Sequence, residues 1–196
     1  MTEDAPITDL VNRTIAEVSK QGGGTVVIPE GKWKSARIVL KSNVNLHLAK
    51  GAELEFSGCA EDYLPAVFTR HEGVEIMGPA AFIYANGENN IAITGEGTIY
   101  GPPMDAEIRK RPNGASVVEK DVPWDMPIEQ RIYDGMEGRT FYRPKTISPI
   151  NCTNVLIEGI TMERSTLWNV VPIYCENVIT KRHYRQLHQG AQRRRH

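Results

Sequence analysis

The sequence has few cysteines and no long apolar segment, and each shortage argues against a class of protein. Cys59, Cys152 and Cys175 are an odd number without a Cys-x-x-Cys pair, which argues against a zinc ribbon or a disulfide framework. No apolar run approaches the ~20 residues of a membrane span, so no membrane partner is predicted. The first ten residues lack the basic and apolar regions of a secretory signal, so the chain as written is expected to be cytoplasmic.

Carboxylates are missing from the last segment, residues 180–196, although the rest of the chain is acidic. The segment holds six of the 23 Lys and Arg residues and none of the 24 Asp and Glu residues. The remainder therefore has 17 basic and 24 acidic residues, which is not the charge of a general polyanion binder, and no nucleic-acid partner is predicted. The spacing of His183, His188 and His196 matches no common ligand pattern, so no metal site is predicted.

A short run that begins with Asn recurs along the chain. The runs start at Asn43, Asn90, Asn154 and Asn177, and the last two starts are 23 positions apart. Apolar residues alternate after the Asn, as in NVNLHL and NVLIEG, which is the strand period. Asn tolerates the left-handed backbone region, where its amide can bond the turn of a neighbouring rung. The repeat predicts an all-β protein, a parallel β-helix of stacked rungs.

The segment ahead of the first strands predicts an amphipathic helix that covers the open end of the β-helix. Its stretch TDLVNRTIAEVSK is followed by Gly22 to Gly24, which form a C-terminal stop signal. A solenoid must hide the apolar end of its first rung, and a helix with one apolar face can do so. The residues predicted on that face are Leu10, Val11, Thr14, Ile15 and Val18.

Four long segments match one known family in the family's own order. They are GGGTVVIPEG, IVLKSNVNLHLAKGAELEFS, EGVEI with AAFIYANGENNIAITGEGTIYG, and FYRPKTISPINCTNVLIEGITMERSTLWNVVPIYCENVI. Over roughly residues 8–179 the chain resembles glycoside hydrolase family 28, the polygalacturonase group. The resemblance implies a right-handed parallel β-helix and inverting hydrolysis of α-1,4-linked galacturonic acid in pectin, without a cofactor. It also implies a pectic polysaccharide or oligogalacturonide as partner, and intact relatives are often secreted or periplasmic.

The catalytic motifs of the family have no counterpart in this sequence. Asn-Thr-Asp or Asn-Gly-Asp followed by Gly, a paired Asp-Asp, Gly-His-Gly and Arg-x-Lys all lie after the segment that ends at Ile179. No catalytic residue is therefore carried over. We expect a partial β-helix domain over 1–179, truncated before the C-terminal rungs and inactive as a hydrolase. Residues 180–196 are expected to form a non-native, disordered basic tail.

The tail is interpreted as coding sequence read out of frame. Permitted codons for Arg182 to His196, read one nucleotide later, encode Val-Thr-Ile-Asp-Asn-Ser-Ile-Lys-Gly-Arg-Asn-Gly-Asp-Gly. That string is a strand followed by Asn-Gly-Asp-Gly, at the place where the resemblance expects the first catalytic motif. The last rung is then expected to have an open end, through which chains can associate non-specifically.

A long stretch, residues 102–145, interrupts the repeat. It is rich in Pro and in charge, which predicts an excursion from the β-helix. In the family such loops wall the substrate groove, so Trp124, Tyr133 and Tyr142 are expected either to line it or to pack beneath it.

Three residues are candidates for contact with substrate. Trp168 is a candidate platform for stacking on a sugar, with core packing as the alternative. Arg143 and Arg164 are candidates for a bidentate pair with a uronate carboxylate, with an ordinary surface position as the alternative.

Two other functions stay open at this point. The chain can be a non-catalytic β-helix that binds pectic or other acidic polysaccharide. A pectate lyase on the same solenoid is the other alternative, and it would need a calcium site and an Arg base. The sequence has no cluster of Asp on alternating strand positions, which disfavours the lyase.

Overall fold

The chain winds through three parallel sheets in the computed structural model, which describes residues 6–110 and 125–181. The strands of the first sheet, β1, β4, β9, β12 and β14, are Gly24–Ile28, Val44–Leu48, Asn89–Gly95, Thr153–Glu158 and Glu176–Lys181. Those of the second, β2, β5, β10 and β13, are Gly31–Ser35, Ala52–Phe56, Thr98–Tyr100 and Thr161–Glu163. Those of the third, β3, β8 and β11, are Ile38–Val39, Ala81–Asn86 and Lys145–Ile150.

Each turn of the chain contributes one strand to each sheet in succession. Every neighbouring pair within the three sheets is parallel, and the third sheet continues through single bridges from Ile147 to Val170 and from Ile150 to Ile173. Parallel crossovers take the right hand. The predicted right-handed parallel β-helix is therefore confirmed.

Alternation along the strands fills the interior of the β-helix. In β4 the residues Val44, Leu46 and Leu48 are fully buried, while the two residues between them are partly exposed. Successive rungs place apolar side chains at one register position, as with Leu54 of β5 and Ile99 of β10. The core is thus a set of stacked apolar side chains, one from each rung.

The recurring asparagines form the ladder that the repeat predicted. Asn43, Asn90, Asn154 and Asn177 have φ angles of 64°, 54°, 58° and 53°. The side-chain amide of each donates to the side-chain oxygen of the preceding one, at 3.0 Å, 2.8 Å and 2.9 Å along the ladder. Because a positive φ is costly for most residues, Asn at this turn serves both the backbone and the stacking of rungs.

Helix α1, Thr8–Lys20, covers the first rung as predicted. Val11 and Ile15 are buried against the core, and the side chain of Asn12 bonds the carbonyl of Arg37 and the amide of Val39. Leu10 was wrongly placed on the buried face. It is 48% exposed, because the helix contacts the core along the line of Val11, Ile15 and Val18.

The glycines after α1 end it where the stop signal predicted. The amide of Gly23 donates to the carbonyl of Val18 at 2.9 Å, with a φ of 113° at Gly23. A Cβ at Gly23 would lie 2.4 Å from the carbonyl oxygen of Asn43. Glycine is therefore required there by close approach of the first ladder turn as well as by the backbone angle.

Two excursions leave the β-helix at the same corner, between the second and third sheets. The first, residues 57–80, contains an antiparallel hairpin of β6, Val67–His71, and β7, Val74–Gly78, which the sequence did not predict. The second lies between β10 and β11 and includes the short helix α2, Glu107–Lys110. The excursions join where the amide of Met77 donates to the carbonyl of Arg131 at 2.9 Å. Trp124 lies outside the described residues.

The last strand, β14, includes Thr180 and Lys181, the first two residues of the basic segment. The remainder of that segment, including its three histidines, lies outside the described residues. No helix in the described part of the chain is long and apolar enough to span a membrane.

Candidate functional site

Trp168 lies on the outer side of the third sheet. Its carbonyl accepts a hydrogen bond from the amide of Thr146 at 3.0 Å, so it continues this sheet one rung beyond β11. The side chain is 50% exposed and borders a shallow depression of about 340 Å³. The structure therefore places the indole at the surface and not in the core, while its stacking on a sugar stays a prediction.

A row of aromatic rings runs inward from Trp168. Its ring centroid is 6.4 Å from that of His71 on β6, which stacks on Tyr142 at 4.0 Å. Tyr142 in turn contacts Tyr133 at 5.2 Å. Tyr142 is buried, so of the two roles weighed for it the structure shows packing. The row supports Trp168 from below.

Two ionisable groups are buried beside this row. Burial, and then the charge of Lys145, lowers the pKa of His71 to about 4. Burial alone lowers the pKa of Lys145 to about 8. The ammonium of Lys145 donates to the hydroxyl of Thr69 at 3.2 Å and to the carbonyl of Arg70 at 2.8 Å. At neutral pH the imidazole under Trp168 is therefore uncharged, while a cation ties β11 to the hairpin.

Arg143 lies on the same side of the molecule as Trp168. It lines a cavity of about 10 Å³ together with His71, Tyr142 and Lys145. Burial lowers the pKa of Arg109, and the neighbouring charges of Arg164 and Arg143 lower it further. The structure thus brings Arg143 beside His71 and Tyr142, and a role for it in binding substrate stays a prediction.

Arg164 points elsewhere. Its guanidinium pairs with the carboxylate of Glu55 at 2.5 Å and lies 4.8 Å from the ring centroid of Tyr100, on the outer face of the second sheet. Arg109 holds the turn in place by donating to the backbone carbonyls of Arg164 and Ser165. A role for Arg164 in binding substrate stays a prediction, and its guanidinium is not joined with Trp168 in one site.

Arg70 and Tyr174 complete the depression around Trp168, and the sequence singled out neither. The guanidinium of Arg70 lies 5.6 Å from the ring centroid of Tyr174, and its Nε donates to the carbonyl of Gly73 at 3.0 Å. Tyr174 is 53% exposed. Local pattern gave no signal for either residue. Tyr174 has a φ of 53° and lies outside the strands, and the hairpin that carries Arg70 was not predicted.

The pKa values of two carboxyl groups are shifted away from what a general acid requires. Burial raises the pKa of Glu88, but hydrogen bonds from Ser42 and Lys41 outweigh it, and the net shift is downward. In Asp134 burial is likewise outweighed, by hydrogen bonds from Arg139 and the amide of Met136. A general acid needs a raised pKa to hold its proton at neutral pH. Within the described ranges, no group of His, Cys, Asp or Glu side chains is arranged to hold a metal.

The chain as a whole is similar to known polygalacturonases. A hyperthermoactive exopolygalacturonase from Thermotoga maritima is 32% identical, with a TM-score of 0.75 over 91% of the chain. A family 28 exopolygalacturonase from Yersinia enterocolitica, 23% identical with a TM-score of 0.62 over 91% of the chain, shares the fold. A Vitis vinifera protein named "Probable polygalacturonase" is 25% identical over 168 residues, 84% of the chain. The chain is related to the family 28 polygalacturonases.

The polygalacturonase relatives are longer than this chain. It spans 30% of the Vitis protein, 42% of the Thermotoga enzyme and 36% of the Yersinia enzyme. No protein-family model matches the sequence. The similarity therefore supports the relationship and the β-helix.

Proposed function

We propose that this chain forms the first rungs of a hydrolase of α-1,4-linked galacturonic acid in pectin, and that it supplies part of the surface that holds the substrate. The similarity to polygalacturonases supports the reaction. The observation that carries the proposal is the exposed Trp168 beside Arg70, above a buried layer of His71 and Lys145. Aromatic faces and guanidinium groups are the side chains that suit a polymer of sugar acids.

The proposed reaction inverts the anomeric centre, and this chain does not supply its acid and base. An inverting hydrolase needs a protonated carboxyl group and a carboxylate base about 6.5–9.5 Å apart, with water between. Glu88 and Asp134 have lowered pKa values, which do not suit the protonated acid. General acid and base groups contribute roughly 10²–10⁴-fold each, so their loss removes the turnover.

Two assays test the proposal. Release of reducing ends from polygalacturonate measures hydrolysis, and retention of the chain in a polygalacturonate gel measures binding of the substrate. We expect retention without release above buffer. Turnover that survives further purification would show that the acid and base are present, and would direct the search to the Asp and Glu residues of 102–145. A chain that migrates freely through the polygalacturonate gel would contradict the substrate class.

A second candidate is a non-catalytic β-helix that binds acidic polysaccharide. It is favoured by the same observation, the exposed Trp168 beside Arg70, which by itself requires only binding. The two functions can be distinguished with a longer protein, in which the coding sequence is read one nucleotide later from the Arg182 codon. Hydrolysis by the extended protein supports the first function, whereas binding without hydrolysis supports the second. Ultraviolet absorbance of unsaturated uronides, measured with calcium present, would reveal a lyase.

A further inference from the structure

We propose that Arg70, Trp168 and Tyr174 form a subsite for one galacturonate unit, in which Arg70 binds the carboxylate and the two rings contact the sugar. We call these three residues the uronate pocket. The inference rests on the proposed function and places its substrate on particular side chains. It goes beyond that function because it assigns the carboxylate of one sugar unit to Arg70 and the sugar itself to Trp168 and Tyr174.

The guanidinium of Arg70 is held in place yet keeps donors available. Its Nε is used by the carbonyl of Gly73 at 3.0 Å, and the plane lies 5.6 Å from the Tyr174 ring centroid. Within residues 6–110 and 125–181 Arg70 has no ion pair, and its two terminal amino groups make no hydrogen bond. A positioned fork of this kind matches the two oxygens of a carboxylate.

The carboxylate nearest to Arg70 in the hairpin is occupied elsewhere. Glu75 lies opposite Arg70 in the register of β6 and β7. It accepts a hydrogen bond from the hydroxyl of Tyr174, which raises the pKa of that tyrosine. Glu75 therefore interacts with Tyr174, and within the described residues it makes no ion pair with Arg70. A ligand carboxylate would supply the missing partner.

The two rings are exposed but fixed, as a sugar platform requires. Trp168 and Tyr174 are each about half exposed, at 50% and 53%. Trp168 rests on His71, and Tyr174 is held between Arg70 and Glu75. The depression they border, about 340 Å³, is at the small end of ligand pockets and suits one or two sugar units. Prearranged rings lose little conformational entropy on binding.

Glu72 allows a test of whether the charge of Arg70 binds the carboxylate of the ligand. It lies in the turn between β6 and β7 and borders the same depression. Its carboxylate would repel a uronate that approaches Arg70, so Glu72→Gln should tighten binding of the acid. The same change should leave binding of an uncharged sugar unaltered. Opposite effects of the Glu72 and Arg70 variants on one ligand are not expected from altered packing.

Calorimetric titration of the full chain with trigalacturonate and with its methyl ester measures both effects. We expect Arg70→Gln to weaken binding of the acid by about tenfold or more while changing the ester little. Trp168→Ala and Tyr174→Ala should weaken both ligands, since they remove ring contact. Arg13→Gln, an exposed arginine of α1, is the matched control and should bind both ligands as the unmodified chain does.

The outcomes separate this inference from the proposed function. Equal loss of acid and ester in Arg70→Gln, or no loss of either, would overturn the uronate pocket even while polygalacturonate is retained in the gel. Failure of the unmodified chain to bind the acid trimer would overturn it as well. Retention of the polymer without any effect of the three pocket variants would leave the proposed function standing and move the contact elsewhere. Thermal melting of each variant shows whether a loss reflects unfolding.

Discussion

At the scale of single residues, the ladder asparagines join backbone geometry to rung stacking. Asn90 is central because its amide donates to Asn43 and its oxygen accepts from Asn154. Its φ of 54° is one that Asn and Gly adopt more readily than alanine. The contribution of the ladder hydrogen bonds can therefore be separated from that of the backbone angle by comparing Gly and Ala at position 90.

Replacing Asn90 by Gly should cost about 1–2 kcal/mol of unfolding free energy, because both ladder bonds are lost while the backbone angle is kept. Asn90→Ala should cost about 1 kcal/mol more, since alanine is strained at positive φ. Asn177→Gly, at the end of the ladder, loses one bond and should cost less. Urea unfolding measures all three, and equal stability of the Gly and Ala variants at position 90 would contradict the backbone argument.

The buried imidazole under Trp168 should make stability depend on pH. The pKa of His71 is about 4 in the folded chain and 6.5 ordinarily, so the unfolded chain binds the extra proton between these values. The contribution of neutral His71 to the free energy of unfolding is fully present above pH 6.5 and is lost as the pH falls toward 4. The loss is about 3 kcal/mol. Lys145, Arg143, Tyr142 and Trp168 are the groups that face the ring.

Replacing His71 by Phe keeps a ring against Tyr142 and removes the titration. The difference in unfolding free energy between this variant and the unmodified chain should therefore move in favour of the variant by about 3 kcal/mol between about pH 7 and pH 4. Urea unfolding at both pH values gives the difference, and the carboxylates common to both chains cancel. A difference that does not change with pH would show that folding leaves the pKa of His71 unchanged.

At the scale of elements, strands with a period of two were predictable, whereas the excursions were not. Each rung could be predicted from the alternation of apolar residues and from the Asn at the left-handed turn, because both patterns involve residues that are close in sequence. The hairpin of β6 and β7 forms only by packing on the third sheet, where Tyr84 bonds the carbonyl of Phe68 at 3.0 Å. Trp168 was therefore recognised as a candidate with surface and core positions both open, while its neighbour Arg70 depends on a contact that local pattern does not encode.

Helix α1 should stabilise the β-helix through its buried side chains and not through its exposed ones. Ile15 is fully buried against the first rung, so Ile15→Ala should cost about 2–5 kcal/mol. Leu10→Ala, on the same helix but 48% exposed, should change stability by no more than about 0.5 kcal/mol. Thermal and urea unfolding compare the two. Similar losses at both positions would mean that the helix docks on a different face.

At the scale of the whole molecule, the last strand is the end of the first sheet. β14 pairs with β12 on one side, and on its other side no strand of the described residues pairs with it. Ile179 is 52% exposed there. An unpaired edge with exposed apolar residues is a template for strand addition by another chain. Within residues 6–110 and 125–181, one end of the solenoid is covered by α1 and the other is the unpaired edge of β14.

We expect the 196-residue chain to self-associate through β14, and Ile179→Lys to reduce this by placing a charge on the edge.

If the basic tail is out-of-frame coding sequence, genomic DNA read one nucleotide later from the Arg182 codon should continue into further rungs with Asp-Asp and Gly-His-Gly motifs. The frame-restored protein should then be a monomer, because new strands pair with β14. Size-exclusion chromatography with light scattering compares the three proteins. A cooperatively melting monomer from the 196-residue chain would show that the edge is already protected, and a shifted frame that soon closes would exclude the frameshift.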